Sequence, residues 1–167
     1  MAYGSLDGTR EIVLTFDDGP NPSTTPQIID TLSRHGVKGI FFVLGERIES
    51  RRGQEIIEQA HKDGHAIANH TYSHPTLTKL TDQEIKEELQ KTQDLIGNYA
   101  SDPLLFRPPY GATNARVDEL IREEGYTKVM WSVDTLDWKK KSKAWMQHGM
   151  DQISVREDSL VLMHDIH

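Results

Sequence analysis

Apolar residues along the chain fall into two rhythms. The first consists of short runs rich in β-branched and aromatic residues. Ile12-Val13-Leu14-Thr15-Phe16 predicts a strand over 11–16, and Gly39-Ile40-Phe41-Phe42-Val43-Leu44 is a continuous apolar run of the kind that fills a buried parallel strand. Further strands are expected at His65-Ala66-Ile67-Ala68-Asn69, at Leu104-Leu105-Phe106, over Lys128–Val133 and over Ser159–Met163. Between them the apolar spacing becomes helical. Ile28, Ile29 and Leu32 follow Pro26, which suits a first turn, and that helix stops at Gly36. Ile56, Ile57 and Ala60 share one face of a helix over 51–62 that ends near Gly64. Thr81-Asp82-Gln83-Glu84 reads as a capping box opening a helix over 82–97 that buries Ile85, Leu89 and Ile96. A helix over 114–124 stops at Gly125, and one near 142–152 carries Trp145, Met146 and Ile153.

Six strands alternating with five helices is the pattern of an α/β protein with a parallel sheet. No internal repeat, low-complexity tract or linker interrupts it, so residues 1–167 are expected to form one domain. An open doubly wound sheet and an incomplete barrel both fit. A full eight-stranded barrel usually needs about 200 residues or more, which this chain lacks.

Composition narrows the partners. The formal net charge is −7 and no Lys/Arg cluster recurs with aromatic spacing, which argues against nucleic acid and anionic membranes. Lys139-Lys140-Lys141, the one basic run, reads as solvated surface. With no cysteine there is no disulfide or thiolate metal site, and a zinc site would have to use histidine and carboxylate. No apolar segment approaches the roughly 20 residues of a transmembrane helix, and no signal peptide precedes Tyr3.

The candidate chemistry lies where the strands end. Loops after parallel strands emerge on one face, and α/β sites are built there. The first strand runs into Asp17-Asp18-Gly19-Pro20. An unbroken strand would aim the two carboxylates in opposite directions, whereas a bend at the strand end brings both to one pocket. The third strand leads to His70-Thr71-Tyr72-Ser73-His74, the fourth to Arg107-Pro108-Pro109-Tyr110-Gly111, the fifth to Asp134-Thr135-Leu136-Asp137-Trp138 and the sixth to His164-Asp165. His70 and His74 at i and i+4 would face the same way across one helical turn, although Pro75 points to a tight turn instead. With a carboxylate from the first loop they make a three-ligand set with an open fourth position, as in catalytic zinc sites. Arg107 reads as an orienting partner for a neighbouring carboxylate. His35, His61, His65 and His148 show no such convergence and are expected to be structural or exposed.

These five motifs, in this order and spanning residues 15–165, resemble the polysaccharide deacetylases of carbohydrate esterase family 4, built on the NodB homology domain. The resemblance implies a distorted, incomplete (β/α) barrel with parallel strands. It implies Asp18, His70 and His74 as ligands of a divalent metal ion, zinc first, with cobalt, manganese or nickel as alternatives. It implies Asp17 as general base, Arg107 as the residue that orients it, and His164 as general acid tuned by Asp137. The backbone N–H of Tyr110 would help hold the oxyanion, Trp138 would line the groove and Leu162 would border the acetyl pocket. The expected reaction is metal-dependent removal of N-acetyl groups from N-acetylglucosamine units of a polysaccharide or oligosaccharide, of peptidoglycan or chitin type. O-deacetylation of acetylated xylan on the same scaffold is the alternative. Secretion or a place in the cell envelope follows from the resemblance alone.

Two departures stand out. The family continues past the acid histidine with one more helix and strand, whereas this sequence stops at His167, so either it ends early or its barrel closes less completely. Lys38-Gly39 also replaces a basic residue followed by a larger one, and Lys38 is expected to form an ion pair near the site. A phosphoryl-transfer enzyme of haloacid dehalogenase type would want two acids separated by one residue and would leave both histidines idle. A non-catalytic carbohydrate-binding relative would have lost Asp17 or His164, and both are present.

Overall fold

The computed structural model describes residues 10–140 and 143–166. The segment before Tyr3, Lys141 of the basic run, Ser142 at the expected start of the last helix, and His167 lie outside the described residues.

Among the described residues seven strands form one sheet: β1 (Ile12–Asp17), β2 (Gly39–Val43), β3 (Ala66–Asn69), β4 (Leu105–Phe106), β5 (Thr127–Lys128), β6 (Val133–Asp134) and β7 (Ser159–His164). Their order is β5-β4-β3-β2-β1-β7-β6, and every pairing is parallel. The helices are α1 (Thr25–Arg34), α2 (Gly45–Ile48), α3 (Arg51–Lys62), α4 (Asp82–Ile96), α5 (Ala115–Glu123) and α6 (Ala144–Ser154). Curled on itself, the sheet makes the distorted, incomplete barrel expected from the motifs. Among the described residues no helix is long and apolar enough to cross a membrane.

Side-chain alternation sorts the sheet into two faces. Phe16, Phe41, Val43 and Ile67 point outward and pack with Ile29 and Leu32 of α1 and Ile56, Ile57 and Ala60 of α3. Further along, Phe106 meets Ile85 and Leu89 of α4 and Val117, Leu120 and Ile121 of α5. Truncating a buried phenylalanine of this kind to alanine typically costs about 3–5 kcal/mol, so these two layers carry the fold. The inward face is thinner: Ile40, Phe42, Ala66 and Ala68, with Val13, Leu105 and Val129. Small side chains there leave room for Arg107, which is fully buried with its guanidinium 4.1 Å from the Phe42 ring centroid.

The expected fifth strand over 128–133 is in fact two. Thr127–Lys128 pairs with β4 at one edge of the sheet, and Val133–Asp134 pairs with β7 at the other. The intervening residues cross the barrel: Val129 N–H donates to Phe106 O on one side, and Ser132 N–H to Leu160 O on the other. Carbonyls that a strand would pair with a neighbour instead accept from Arg107, Nε to Val129 O at 3.1 Å and Nη2 to Met130 O at 2.9 Å.

Other differences are smaller. On α6 only Gly149 is buried, against Thr135, while Trp145 is half-buried and Met146 exposed. Lys38 lies before β2, at the end of the sheet opposite the motif loops, and donates to Asp63 O there, so it forms no ion pair near the site.

Candidate functional site

The five motif segments converge on one cleft of about 450 Å³ at the C-terminal ends of the strands. Asp17, Asp18, His70, His74, Tyr110, Trp138, Leu162 and His164 line it. Arg107 and Asp137 sit behind the wall, each hydrogen-bonded to a lining residue.

Asp17 ends β1 beside His164 of β7 in the sheet register, which fixes their relative height. The chain then bends: Asp18 has φ 75°. That left-handed residue turns the second carboxylate to the side of the first, as the Gly-Pro turn suggested. Among the described residues, the non-glycine residues with positive φ are Asp18, Thr71, His74, Tyr110 and Leu136, all in the loops around this cleft. Such conformations cost about 1–3 kcal/mol each and persist only where surrounding bonds over-determine them.

His70 and His74 are brought together without a helical turn; the chain between them is irregular. Their Nε2 atoms lie 3.3 and 3.2 Å from Asp18 Oδ1. His70 Nδ1 is 2.7 Å from Arg107 O, and a carbonyl can only accept, so this nitrogen carries the proton. In the neutral ring with that tautomer, Nε2 presents its lone pair to the buried Asp18 Oδ1. With both rings neutral, two lone pairs and a carboxylate face one another, an arrangement that a cation would satisfy. The three ligand atoms lie within 4.8 Å of one another, a spacing that suits one divalent ion, and the His70–carbonyl bond is the usual orienting contact of such ligands. Burial would raise the Asp18 carboxyl, but hydrogen bonds and positive charge from the two imidazoles in their protonated form outweigh it and hold the carboxyl well below the usual carboxylate range.

Arg107 Nη1 bonds both Asp17 Oδ1 and Thr15 Oγ1 at 2.7 Å. Burial pulls the guanidinium below its ordinary value and the Asp17 charge opposes that shift. Trp131 covers the guanidinium, 5.7 Å away, and also lines the cleft. Across the cleft, His164 Nδ1 and backbone N both meet the Asp137 carboxylate at 2.7 Å. Burial alone would lower the His164 pKa; Asp137, with Asp17 and Asp18 further off, outweighs it and holds the imidazole above its ordinary value. Asp137 is correspondingly held below its own, the His164 contacts overcoming burial. Tyr110 is 69% exposed and packs edge-on to His74, and Trp138 is 55% exposed at the rim.

Three residues near the site carried no assignment from sequence. Thr15 shares the inward face with Asp17 at i and i+2, a relation that strand alternation already contains. Trp131 looked like one more apolar residue of a strand. Asp165 is buried behind the Asp17-Asp18-Gly19 turn, accepting from Thr25 Oγ1 at 2.5 Å. Burial above all, with the nearby Asp17 and Asp18 charges, pushes its carboxyl up to about 7. The remaining histidines are as expected: His35 and His61 are exposed, His148 is half-buried, and buried His65 accepts from Gly39 N–H.

A family model described as polysaccharide deacetylase matches residues 6–129. The chain is 40% identical over 159 residues to the peptidoglycan-N-acetylglucosamine deacetylase PgdA of Listeria monocytogenes, covering 95% of this chain and 33% of that protein. It is 35% identical over 171 residues to a chitooligosaccharide deacetylase of Bradyrhizobium, covering 98% and 74%. The solved structure of the peptidoglycan deacetylase PdaC from Bacillus subtilis superposes with a TM-score of 0.85 at 38% identity, covering 97% of this chain and 78% of that one. The chain thus spans only a third of the length of its Listeria relative.

Proposed function

The chain belongs to the polysaccharide deacetylase family, and on that premise we propose that it is a metal-dependent hydrolase acting on a peptidoglycan- or chitin-type polymer, removing N-acetyl groups from N-acetylglucosamine units and releasing acetate. One observation carries this reading: the Asp18–His70–His74 cluster shares its cleft with a carboxylate, Asp17, and with an imidazole held above its ordinary pKa, His164.

Asp18, His70 and His74 would hold the ion, zinc in the first instance given two imidazoles and a carboxylate. A divalent cation there supplies Lewis-acid polarisation of the acetamide carbonyl and a more acidic water. Asp17, its carboxylate directed by Arg107, takes the proton of the attacking water. The Tyr110 backbone N–H donates to the oxyanion of the tetrahedral intermediate. His164 then gives its proton to the departing nitrogen, with Asp137 on Nδ1 keeping the ring oriented and charged. An amine leaves only once protonated, so a maintained imidazolium favours an amide over the O-acetyl ester of xylan. Leu162 borders the methyl of the acetyl group and Trp138 the sugar, both on the cleft wall. The peptidoglycan in the names of two relatives supports a secreted or envelope location.

The test is acetate release from chitooligosaccharides, peptidoglycan and acetylxylan, each with and without a chelator. Chelator-sensitive release from an N-acetylated substrate is expected. No chelator-sensitive release from any of the three would overturn the reading, and release from acetylxylan alone would replace it with O-deacetylation.

A further inference from the structure

The chain from His70 to His74 has no regular structure, so each of its backbone N–H groups needs its own acceptor. His70 N–H donates to Val43 O at 3.0 Å, Thr71 N–H to Asn69 Oδ1 at 2.9 Å and His74 N–H to Thr71 Oγ1 at 3.1 Å. The other two converge on a single atom. Tyr72 and Ser73 N–H donate to Glu88 Oε2 at 2.9 and 2.8 Å, and the Ser73 hydroxyl donates to Glu88 Oε1 at 2.7 Å. From the other side, Gly45 and Glu46 N–H donate to Thr71 O and Tyr72 O.

Glu88 differs in this from the other glutamates of α4. Glu84 caps its own helix at Thr81, and Glu87 accepts from Gln83 one turn away. Only Glu88 reaches out of the helix, to the apex of a loop whose Thr71 and His74 are both left-handed. Without that anchor, the middle of the loop has two N–H groups without their present acceptor and a backbone free to relax toward commoner conformations. His70 would stay fixed by the Arg107 carbonyl and by β3, but His74 follows the loop.

We propose that Glu88 is a positioning residue of the metal site, its carboxylate clamping the Tyr72–Ser73 backbone so that His74 Nε2 stands beside Asp18 and His70. The inference rests on the metal-dependent reading above. Glu88 acts through backbone amides one and two residues before His74, in the manner of the outer contacts that orient metal-binding side chains; losing such a contact typically weakens metal affinity about 10–100-fold.

The test is zinc affinity, measured on the metal-free full chain by competition with a chromophoric chelator, together with the visible spectrum of the cobalt-loaded protein. Glu88→Ala is expected to weaken zinc by about 10–100-fold and to change the cobalt bands, while Glu87→Ala leaves both unchanged. Glu88→Gln should fall between, because its amide oxygen can still accept from the two N–H groups. Wild-type affinity and spectrum in Glu88→Ala would overturn the proposal. Should that variant fail to fold, wild-type affinity in Glu88→Gln would overturn it, and weakened binding there would support it. A wild-type chain that binds zinc no better than His74→Ala would defeat the metal reading itself, and this inference with it.

Discussion

His164 and Asp137 set the proton inventory of the cleft. The Nδ1–Asp137 hydrogen bond at 2.7 Å and the carboxylate charge bind the imidazolium more strongly than the neutral ring, while the His164 backbone N–H, also 2.7 Å from that carboxylate, holds Asp137 in place. Burial works against the charge, yet the balance leaves the His164 pKa above the ordinary 6.5. A group whose pKa is raised by folding contributes stability that is complete below its unfolded value and is lost as pH rises through the folded one. The same shift keeps the proposed acid protonated further into the alkaline range. Asp137→Asn keeps an acceptor but removes the charge. The alkaline limb of the kcat profile should therefore move to lower pH, and kcat at pH 8 should fall by about 10²-fold, within the range of general acid catalysis. Rate profiles of the two proteins from pH 5 to 10 check this; an unmoved limb would mean that another group donates the proton.

Elements differ in how much of their geometry is local, and that decides what the sequence discloses. Helix α4 is legible because its signals lie within one turn: Thr81 and Glu84 form the capping box and Ile85, Leu89 and Ile96 the buried face. β1 and β2 are legible for a similar reason, since continuous apolar runs need only a neighbour of the same kind. Residues 128–133 are not, because their partners are chosen by an arginine and two sheet edges far away in the chain. The His70–His74 pair was readable as candidate ligands but not as a conformation, since its left-handed residues are stabilised by Asn69 and Glu88 rather than by anything in the spacing. Loop against loop is equally non-local. A Cβ on Gly19 would stand 2.0 Å from Asp165 Oδ2, so the turn after β1 and the turn after β7 interlock without room for a methyl group. Gly19→Ala should cost about 1–3 kcal/mol by overpacking. Shortening the opposing side chain should relieve it, so Gly19→Ala combined with Asp165→Ala is expected to be less destabilised than the sum of the two. Denaturant unfolding of the four proteins in a double-mutant cycle measures that coupling; strict additivity would mean the turns do not meet.

At the scale of the whole molecule, Arg107 joins parts that no strand pairing joins. The seven strands leave β5 and β6 as separate edges, and the segment that bridges them gives two of its carbonyls to one guanidinium. The same group bonds Asp17 and Thr15 on β1 and lies between the rings of Phe42 and Trp131, so barrel closure and the direction of the Asp17 carboxylate depend on one side chain. Lysine cannot replace it: a single ammonium has three donors at one point, whereas these acceptors lie along a planar fork. Arg107→Lys should keep a positive charge near Asp17 while losing at least one bridging carbonyl. Arg107→Met, which leaves Asp17 buried without its partner, should cost about 3–5 kcal/mol. At about 2–4 °C per kcal/mol for a chain of this size, the methionine variant should melt roughly 6–20 °C lower, with lysine in between. Hydrogen exchange separates closure from general loss of stability. In Arg107→Lys, amides of residues 129–134 should exchange faster by a larger factor than those of β1 to β3, because the former segment is held through its carbonyls by the guanidinium whereas the backbones of β1 to β3 are held by pairing with one another. Equal acceleration throughout would mean that Arg107 holds the core as a whole and closes nothing in particular.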